Sequence, residues 1–248
     1  MRSDDTARGE RRVFLQLLGA AAAGVALGAL PFGARGAQAG LKVATIGSGR
    51  IGGTLGEIWL KAGHEVMFSS RHLEDDRALA ARLGGKARAG TPQEAAAFGE
   101  ILLVAVPYRA LPQVGRDLAA QLKDKPVIDA CNPFVHRDGE IATWARNKGA
   151  GLASAELLPG ARLVRAFNAI SYARLPDIAS HSEGERPGMP MAGNDAAAIA
   201  LASRLVRDAG FEPVLVGDLA FGKHLIPGTP LAGEHSPEEI RKIAATLR

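Results

Sequence analysis

The sequence contains a single cysteine, Cys131, among its 248 residues. One cysteine cannot form an intramolecular disulfide, and a zinc site built from several thiolates is excluded for the same reason. Nor do any two of the histidines stand at the spacing of paired metal ligands. The sequence therefore gives no signal for a metal centre, and Cys131 itself is expected to be a small buried apolar residue.

Basic runs and hydrolase motifs are also lacking. The formal net charge is only +4, and a nucleic-acid-binding protein would show a clustered basic face. No G-x-S-x-G nucleophile elbow is present, so a hydrolase of that kind is excluded. Four histidines in loop-like stretches, His136, His181, His224 and His235, have no partner pattern and are expected to be surface residues. A small-molecule partner is expected rather than a nucleic acid.

The first 39 residues differ from the rest of the chain. Arg11 and Arg12 precede an uncharged run from Leu17 to Phe32, and Ala37-Gln38-Ala39 follows. A charged start, an apolar middle and an A-x-A end are typical of an export signal, and paired arginines are typical of the twin-arginine route. The run is shorter than the roughly 18 residues of a membrane span, which disfavours a retained anchor. We expect residues 1–39 to be a cleaved signal peptide, with the mature chain periplasmic or extracellular and not stably inserted in a membrane.

After this leader, short apolar segments alternate with helical patterns. The predicted strands are Lys42–Gly47, Glu65–Ser69, Ile101–Val106, Val127–Ala130, Leu163–Phe167, Met189–Ala192 and Pro213–Val216. The predicted helices are 50–62, 73–84, 91–98, 110–122, 195–209 and 237–247, the last with Ser236 and Glu239 as a capping box. Strands separated by helices of this length predict an α/β fold with a doubly wound, mostly parallel sheet and helices on both faces. Residues 40–248 are expected to form one domain.

A glycine-rich turn joins the first predicted strand to the first predicted helix. Gly47, Gly49 and Gly52 form G-x-G-x-x-G there. In a turn of this kind the first glycine permits the sharp turn, the second lets a pyrophosphate approach the backbone, and the third packs helix against strand. Backbone N–H groups at the helix N-terminus then face the phosphates. The strand, turn and helix occur in the order that this motif requires, which predicts a Rossmann-type dinucleotide site.

The end of the second predicted strand indicates which dinucleotide is bound. An NAD site usually carries Asp or Glu there to accept from the ribose hydroxyls. This chain has Ser69-Ser70-Arg71 instead, and the first acid is Glu74. Arg71 can pair with the 2′-phosphate of NADP, and the serines can donate hydrogen bonds to it. The sequence therefore favours NADP, although the acids at 74–76 would weaken the preference unless they point away.

Six segments in order resemble one known family. They are IGSGRIGGTL, GHEVMFSSR, LVAVPYRAL, VIDACNPF, VRAFNAI and PMAGNDAAA, which lie between Ile46 and Ala198. Together they resemble the F-420-dependent NADP oxidoreductases, which pass hydride between NADP and the deazaflavin coenzyme F-420. Similar domains occur in metalloreductases that use flavin.

The resemblance implies roles for particular residues. It assigns Ser48, Gly49, Arg50 and Ile51 to the pyrophosphate, and Ser70 and Arg71 to the 2′-phosphate. It places Val106, Pro107, Asn132 and Pro133 along the ribose and nicotinamide. The segment Ala166-Phe167-Asn168, with Ser171 and Tyr172, would wall the nicotinamide and the opposing ring.

The reaction expected from these features is hydride transfer between NADPH and a planar acceptor, either F-420 or a flavin. Such a step needs the two rings held close and aligned, and the cofactor supplies the chemistry. No side-chain acid or base is therefore expected. Two alternatives stay open: a hydroxyacid or imino-acid dehydrogenase, and an exported NADP-binding module without catalysis. A homodimer could complete the second pocket.

Overall fold

The computed structural model describes residues 39–180 and 186–248. Both the predicted signal peptide, except Ala39, and His181 lie outside the described residues. Residues Ala39–Arg248 form one compact unit. No helix within the described ranges is long and apolar enough to cross a bilayer.

An eight-stranded sheet forms the centre of this unit. Its strands are β1 (Lys42–Ile46), β2 (Glu65–Ser69), β3 (Ala87–Ala89), β4 (Ile101–Val104), β5 (Pro126–Asp129), β6 (Arg162–Arg165), β7 (Gly188–Gly193) and β8 (Glu212–Gly217). They are ordered β3-β2-β1-β4-β5-β6-β7-β8. Neighbouring strands are parallel except β6 and β7, which are antiparallel. The predicted doubly wound, mostly parallel fold is confirmed.

Helices connect the strands and cover both faces of the sheet. They are α1 (Arg50–Lys61), α2 (Leu73–Leu83), α3 (Pro92–Phe98), α4 (Leu111–Asp117), α5 (Ala119–Leu122), α6 (Val135–Asp138), α7 (Glu140–Lys148), α8 (Ala150–Leu157), α9 (Leu175–Ser180), α10 (Ala196–Asp208) and α11 (Pro237–Thr246). Three short 3₁₀ helices, Tyr108–Ala110, Tyr172–Arg174 and Leu219–His224, complete the connections. Helix α11 begins with the predicted capping box, in which Ser236 and Glu239 exchange hydrogen bonds.

Two apolar layers hold the helices to the sheet. On one face, Trp59 of α1 packs with Leu205 of α10 and with Phe211. On the other face, helices α3, α4 and α8 pack their apolar side chains against β1 and β4. Because both faces are covered, every residue of β4 and β5 is buried. This double burial explains why the central strands read as continuous apolar runs rather than as alternating patterns.

The first described residues are tied to α10. The N–H of Leu41 donates to Nδ1 of the buried His64 at 3.0 Å, and His64 Nε2 lies 2.9 Å from Asp208 Oδ2. Arg204 Nη2 donates to the Ala39 carbonyl at 2.6 Å. The described residues that precede β1 are therefore fixed to α10.

Some elements differ from the sequence prediction. Strand β3, at the edge of the sheet, was not predicted because three residues are too few to show a period. The predicted helix 110–122 is divided into a 3₁₀ turn, α4 and α5, and the chain leaves helical geometry at Leu118, whose φ is −112°. Helices α6, α7 and α8 lie in a stretch for which no element was predicted.

Candidate functional site

Two adjoining clefts open at the edge of the sheet where β1, β2, β4 and β5 end. The small cleft, of about 330 Å³, lies over the ends of β1 and β2. The large cleft, of about 700 Å³, lies over the ends of β4, β5 and β6. Both are lined by Gly49, Ala105, Val106 and Pro107. The two clefts therefore meet at the glycine-rich turn, at the edge where open parallel sheets bind ligands.

The glycine-rich turn has steric reasons for its glycines. Gly47 has φ of +100°, and a Cβ there would lie 2.5 Å from the carbonyl oxygen of Ala105. A Cβ on Gly52 would lie 1.9 Å from the carbonyl oxygen of Gly47. At Gly49, by contrast, a Cβ would meet nothing within 4 Å. Gly47 and Gly52 are thus needed for the turn itself, whereas Gly49 leaves open space beside the backbone.

Helix α1 begins inside this open space. Its N-cap is Gly49, which has no side chain to bond the N–H groups of the first turn. Uncapped N–H groups and the helix dipole make a helix N-terminus favourable for an anion. The end of α1 can therefore hold a pyrophosphate where the two clefts meet.

The end of β2 forms a polar wall of the small cleft. Ser69, Ser70 and Arg71 all line it. The Oγ of Ser69 is buried and has no hydrogen-bond partner among the residues that the structure describes. Arg71 is exposed, and within the described ranges no hydrogen bond or ion pair of its side chain occurs. Its guanidinium is free to pair with an anionic group in the small cleft.

The three acids after Arg71 take different directions. Glu74 pairs with Arg77 at 2.6 Å on the surface, and Asp75 is exposed. Asp76 turns inward and is only 1% exposed. Its carboxylate accepts hydrogen bonds from Ser48 Oγ and, at 2.8 Å, from Ser70 Oγ. Asp76 was expected only as one of three acids near the site, and its bonds to the two serines were not predicted, although its four-residue spacing from the buried Ala80 places both on the inner face of α2.

Asn132 provides the buried polar group of the large cleft. Its Nδ2 donates to the carbonyl of Asn168 at 2.7 Å, and Asn168 Nδ2 donates to the carbonyl of Cys131 at 3.3 Å. These bonds fix the orientation of both amides. The Oδ1 atoms of Asn132 and Asn168 are buried and without a hydrogen-bond partner in the described part of the chain. Asn132 lines the large cleft, so its fixed amide gives this wall a polar side chain.

The chain turns sharply after β6, at Phe167. This residue has φ of +63°, which is rare for a bulky side chain and costs backbone energy. Its ring makes edge-to-face contacts with Trp59 and Phe211, each at 6.2 Å between centroids. Phe167 lines the large cleft, but Ala166 is 0% exposed in the core below it. The apolar wall is therefore formed by Phe167, Ala169 and Ile170. Ala166 was expected to be part of this wall, and that expectation was wrong.

Cationic side chains lie at the rim of the large cleft. The guanidinium of Arg50 lies 5.2 Å from the centroid of the Tyr172 ring. Across the cleft, Arg137 lies 5.0 Å from the Phe134 ring centroid and donates to Asp138 at 2.7 Å. Burial by itself would raise the pKa of Asp138, but the hydrogen bonds and charge of Arg137, together with the N–H groups of Arg109 and Phe134, outweigh burial, and the pKa is lowered. Asp138 is thus a charged partner that holds Arg137 at the cleft.

A buried ion pair lies behind the large cleft. Arg165 Nη1 and Asp129 Oδ2 are 2.5 Å apart, and both side chains are 0% exposed. Arg165 Nη2 also donates to the carbonyls of Cys131, at 3.2 Å, and Leu225, at 3.1 Å. The pair therefore joins the ends of β5 and β6 to the segment after the last 3₁₀ helix, which continues into the cleft-lining residues Pro227 and Gly228. This pair was not predicted, because nothing in the sequence links two residues that lie 36 positions apart.

Cys131 lies beside this ion pair and is buried. Burial raises the pKa of its thiol well above the ordinary value. A thiol of this kind stays protonated and is a poor nucleophile. Cys131 is thus the small buried residue that was expected.

Most of the predicted site residues line the two clefts. They are Gly47, Ser48, Gly49, Arg50, Ile51, Ser69, Ser70, Arg71, Val106, Pro107, Asn132 and Tyr172. Gly52, Pro133 and Asn168 do not line either cleft. Gly52 packs beneath the turn, and the carbonyl of Asn168 accepts from the Asn132 amide. Neither cleft is lined by His136, His224 or His235.

Residues 42–133 match the family model described as NADP oxidoreductase, coenzyme F420-dependent. The matched segment starts at β1 and ends just after Asn132. It thus contains the glycine-rich turn, the end of β2 and the residues shared by the two clefts. No functionally curated protein matches the chain.

Solved structures share the fold over most of the chain. A hypothetical protein from Sinorhizobium meliloti is 24% identical with a TM-score of 0.61, over 79% of this chain and 95% of its own. A candidate F420-dependent NADP reductase from Arthrobacter sp. FB24 is 22% identical with a TM-score of 0.61, over 75% of this chain and 90% of its own.

A reductive aminase from Aspergillus terreus, solved with NADPH, is 19% identical with a TM-score of 0.51. That match covers 73% of this chain but only 56% of the aminase. Taken together, these likenesses show the Rossmann-like α/β fold of NAD(P)-binding proteins.

Proposed function

We propose that this chain is an NADP-dependent oxidoreductase that transfers hydride between NADPH and a planar acceptor, either the deazaflavin coenzyme F-420 or a flavin. The observation that carries the proposal is the pair of clefts that meet at the glycine-rich turn. A dinucleotide spanning this junction would have its adenosine in the small cleft and its nicotinamide in the large one. The match of residues 42–133 to the NADP oxidoreductase family supports the same reading.

The residues present fit NADP. The open space at Gly49 and the uncapped start of α1 would hold the pyrophosphate. Arg71 would pair with the 2′-phosphate, because a guanidinium forms strong hydrogen bonds with phosphate oxygens. Asn132, whose amide is fixed by its bond to the Asn168 carbonyl, would lie beside the nicotinamide in the large cleft.

When bound, NADPH supplies the hydride. The side chains of the large cleft orient and shield it. Phe167, Ala169 and Ile170 give an apolar wall that excludes water from one side. Pro227, Gly228 and Ala232 also line this cleft, and its volume of about 700 Å³ leaves room for a second ring system. Reacting atoms held about 3–3.5 Å apart and aligned need no further catalytic group for hydride transfer.

The planar acceptor can be tested against carbonyl substrates. NADPH consumption is expected with F-420 or a flavin, and not with simple ketones or keto acids, when followed by stopped-flow absorbance without oxygen. Turnover only with a keto acid or an imine would identify a dehydrogenase instead, with the hydroxyl of Tyr172 or Ser171 as the proton donor in the large cleft. Tight NADPH binding without any acceptor would identify a binding module.

Ala232→Trp provides a structural test of the acceptor side. Ala232 lines the large cleft and not the small one, so a large side chain there should displace the acceptor and leave the phosphates in place. We expect turnover to fall by about 100-fold, since a small misplacement of reacting groups has an effect of this size, and NADPH binding to stay nearly unchanged. Ala200→Trp, on the exposed side of α10, is the control. Equal loss of NADPH binding and turnover would contradict this placement of the acceptor.

We further propose that the protein is exported by the twin-arginine route, on the basis of Arg11-Arg12 and Ala37-Gln38-Ala39. Replacing Arg11 and Arg12 with lysine should leave the precursor in the cytoplasm with its leader intact, as measured by fractionation and mass spectrometry. Lysine at Arg2 and Arg8 should leave export normal. Normally processed protein that starts at Gly40 in the Arg11/Arg12 variant would contradict the proposal.

A further inference from the structure

Asp76 is a buried carboxylate that the proposed function does not use. It lies in the first turn of α2 and bonds two serines from different parts of the site. Ser48 belongs to the glycine-rich turn, and Ser70 follows β2. Both serines line the small cleft. The hydroxyls of Ser48 and Ser70 therefore lie between Asp76 and a dinucleotide bound in the small cleft.

The hydrogen bonds of Asp76 determine what the serines can offer to a ligand. A serine hydroxyl has one proton to donate, and an ionised carboxylate can only accept. Ser48 and Ser70 therefore each direct their proton to Asp76. Ser70 Oγ also accepts from the N–H of His72 at 3.1 Å. With its proton directed inward, the lone pairs are what Ser70 can offer to the cleft.

This arrangement favours a donor in the ligand. The 2′-phosphate of NADP presents acceptor oxygens and negative charge, whereas the 2′-hydroxyl of NAD has a proton to donate. A lone pair of Ser70 can accept from that hydroxyl but cannot donate to the phosphate. The negative charge of Asp76 behind the serines also opposes the phosphate. Arg71 acts in the opposite direction, because its cation favours the phosphate.

We propose that Asp76 is a specificity-determining residue that restrains the preference for NADP, so that the protein binds NADH as well as NADPH. Through Ser70 it takes the place of the acid that usually follows the second strand of an NAD site and accepts directly from the ribose. Arg71 and Asp76 together then set the ratio of the two affinities. This inference rests on the proposed function, since it concerns the same dinucleotide site.

Asp76→Asn is the test, with binding of NADPH and NADH to the full chain measured by calorimetric titration. The asparagine keeps the shape of the side chain and removes its charge. Its Nδ2 can donate to one serine, which then has its own proton free for a ligand. We expect the ratio of NADPH affinity to NADH affinity to rise roughly tenfold, the size of one hydrogen bond to a charged group.

Asp75→Asn is the matched control. It removes the same charge from the same helix turn, but Asp75 is exposed and not bonded to the serines. The ratio should stay unchanged in this variant. An equal rise in both variants would show a general charge effect and overturn the role of the serines. If Asp76→Asn changed the affinities for NADPH and NADH equally, Asp76 would only stabilise the glycine-rich turn and would not affect specificity.

Ser70→Ala gives a second measurement in case Asp76→Asn does not fold. It removes the lone pair that faces the ligand and leaves the bond between Ser48 and Asp76. NADH binding should then weaken more than NADPH binding. A greater loss for NADPH would mean that Ser70 donates to the 2′-phosphate, and would overturn the inference. Binding of neither nucleotide by the unaltered chain would instead contradict the proposed function itself.

Discussion

Replacing Asp129 with asparagine is expected to lower the free energy of unfolding by about 3–5 kcal/mol, the usual cost of leaving a buried charge without its partner. Arg165 and Asp129 are both fully buried, 2.5 Å apart, at the ends of adjacent strands. Arg165 keeps its charge, because a guanidinium is not deprotonated in proteins. Without the carboxylate, that charge would have only carbonyl oxygens as partners. Urea unfolding followed by circular dichroism would measure the loss.

The expected loss depends on burial rather than on the ion pair as such. The control is Glu238→Gln, which breaks an exposed pair with Lys242 of similar length, 2.8 Å. Pairs of that kind contribute about 0–1 kcal/mol. The double variant Asp129→Leu with Arg165→Met should lose less than Asp129→Asn alone, since it leaves no buried charge. A loss below about 1 kcal/mol for Asp129→Asn would show that water reaches Arg165.

The same ion pair connects stability to the site. Arg165 donates to the carbonyls of Cys131 and Leu225, which precede the cleft-lining residues Asn132 and Pro227 by one and two positions. Loss of Asp129 should therefore increase the mobility of the residues that line the large cleft more than that of the residues that line the small cleft. The glycine-rich turn is held separately, because the N–H of Gly47 donates to the Ser69 carbonyl at 2.8 Å and the N–H of Gly53 donates to the Gly49 carbonyl at 2.7 Å.

The parts of the fold that the sequence predicted are those with a local signal. Strand β1, the turn at Gly47 and helix α1 form one continuous segment, and Gly47 and Gly52 have steric requirements that only glycine meets. Strands β4 and β5 are buried on both faces and show as uninterrupted apolar runs. In each case the residues that determine the structure lie next to each other in the chain.

The features that the sequence did not predict depend on contacts between distant segments. The pairing of Arg165 with Asp129 and the reversal of β7 relative to β6 are properties of the assembled sheet. Asp76 lies close to the motif, but its direction depends on how α2 packs against β2. The positive φ of Phe167 is likewise held by the rings of Trp59 and Phe211. None of these contacts produces a pattern among neighbouring residues of the sequence.

Arg71→Ala is expected to weaken NADPH binding by about 1.5–3 kcal/mol, the range for hydrogen bonds to a charged group. This loss corresponds to roughly a 10- to 150-fold rise in Kd. NADH binding should barely change, because NADH has no 2′-phosphate for Arg71 to contact. The structure supports this selectivity: Arg71 is exposed in the small cleft, and its side chain makes no ion pair within residues 39–180 and 186–248. Its removal should therefore leave the stability of the fold unchanged.

Arg77→Ala is the control for a general loss of positive charge. Arg77 lies on the same helix as Asp76, but it pairs with Glu74 at 2.6 Å and lines neither cleft. Its removal should affect the two nucleotides alike and only slightly, because exposed charges are screened by salt. Titration of both variants with NADPH and NADH separates the outcomes. Equal losses of both nucleotides in Arg71→Ala would place this side chain at the pyrophosphate, where the two cofactors are identical, and the choice of NADP would then have to come from another part of the small cleft.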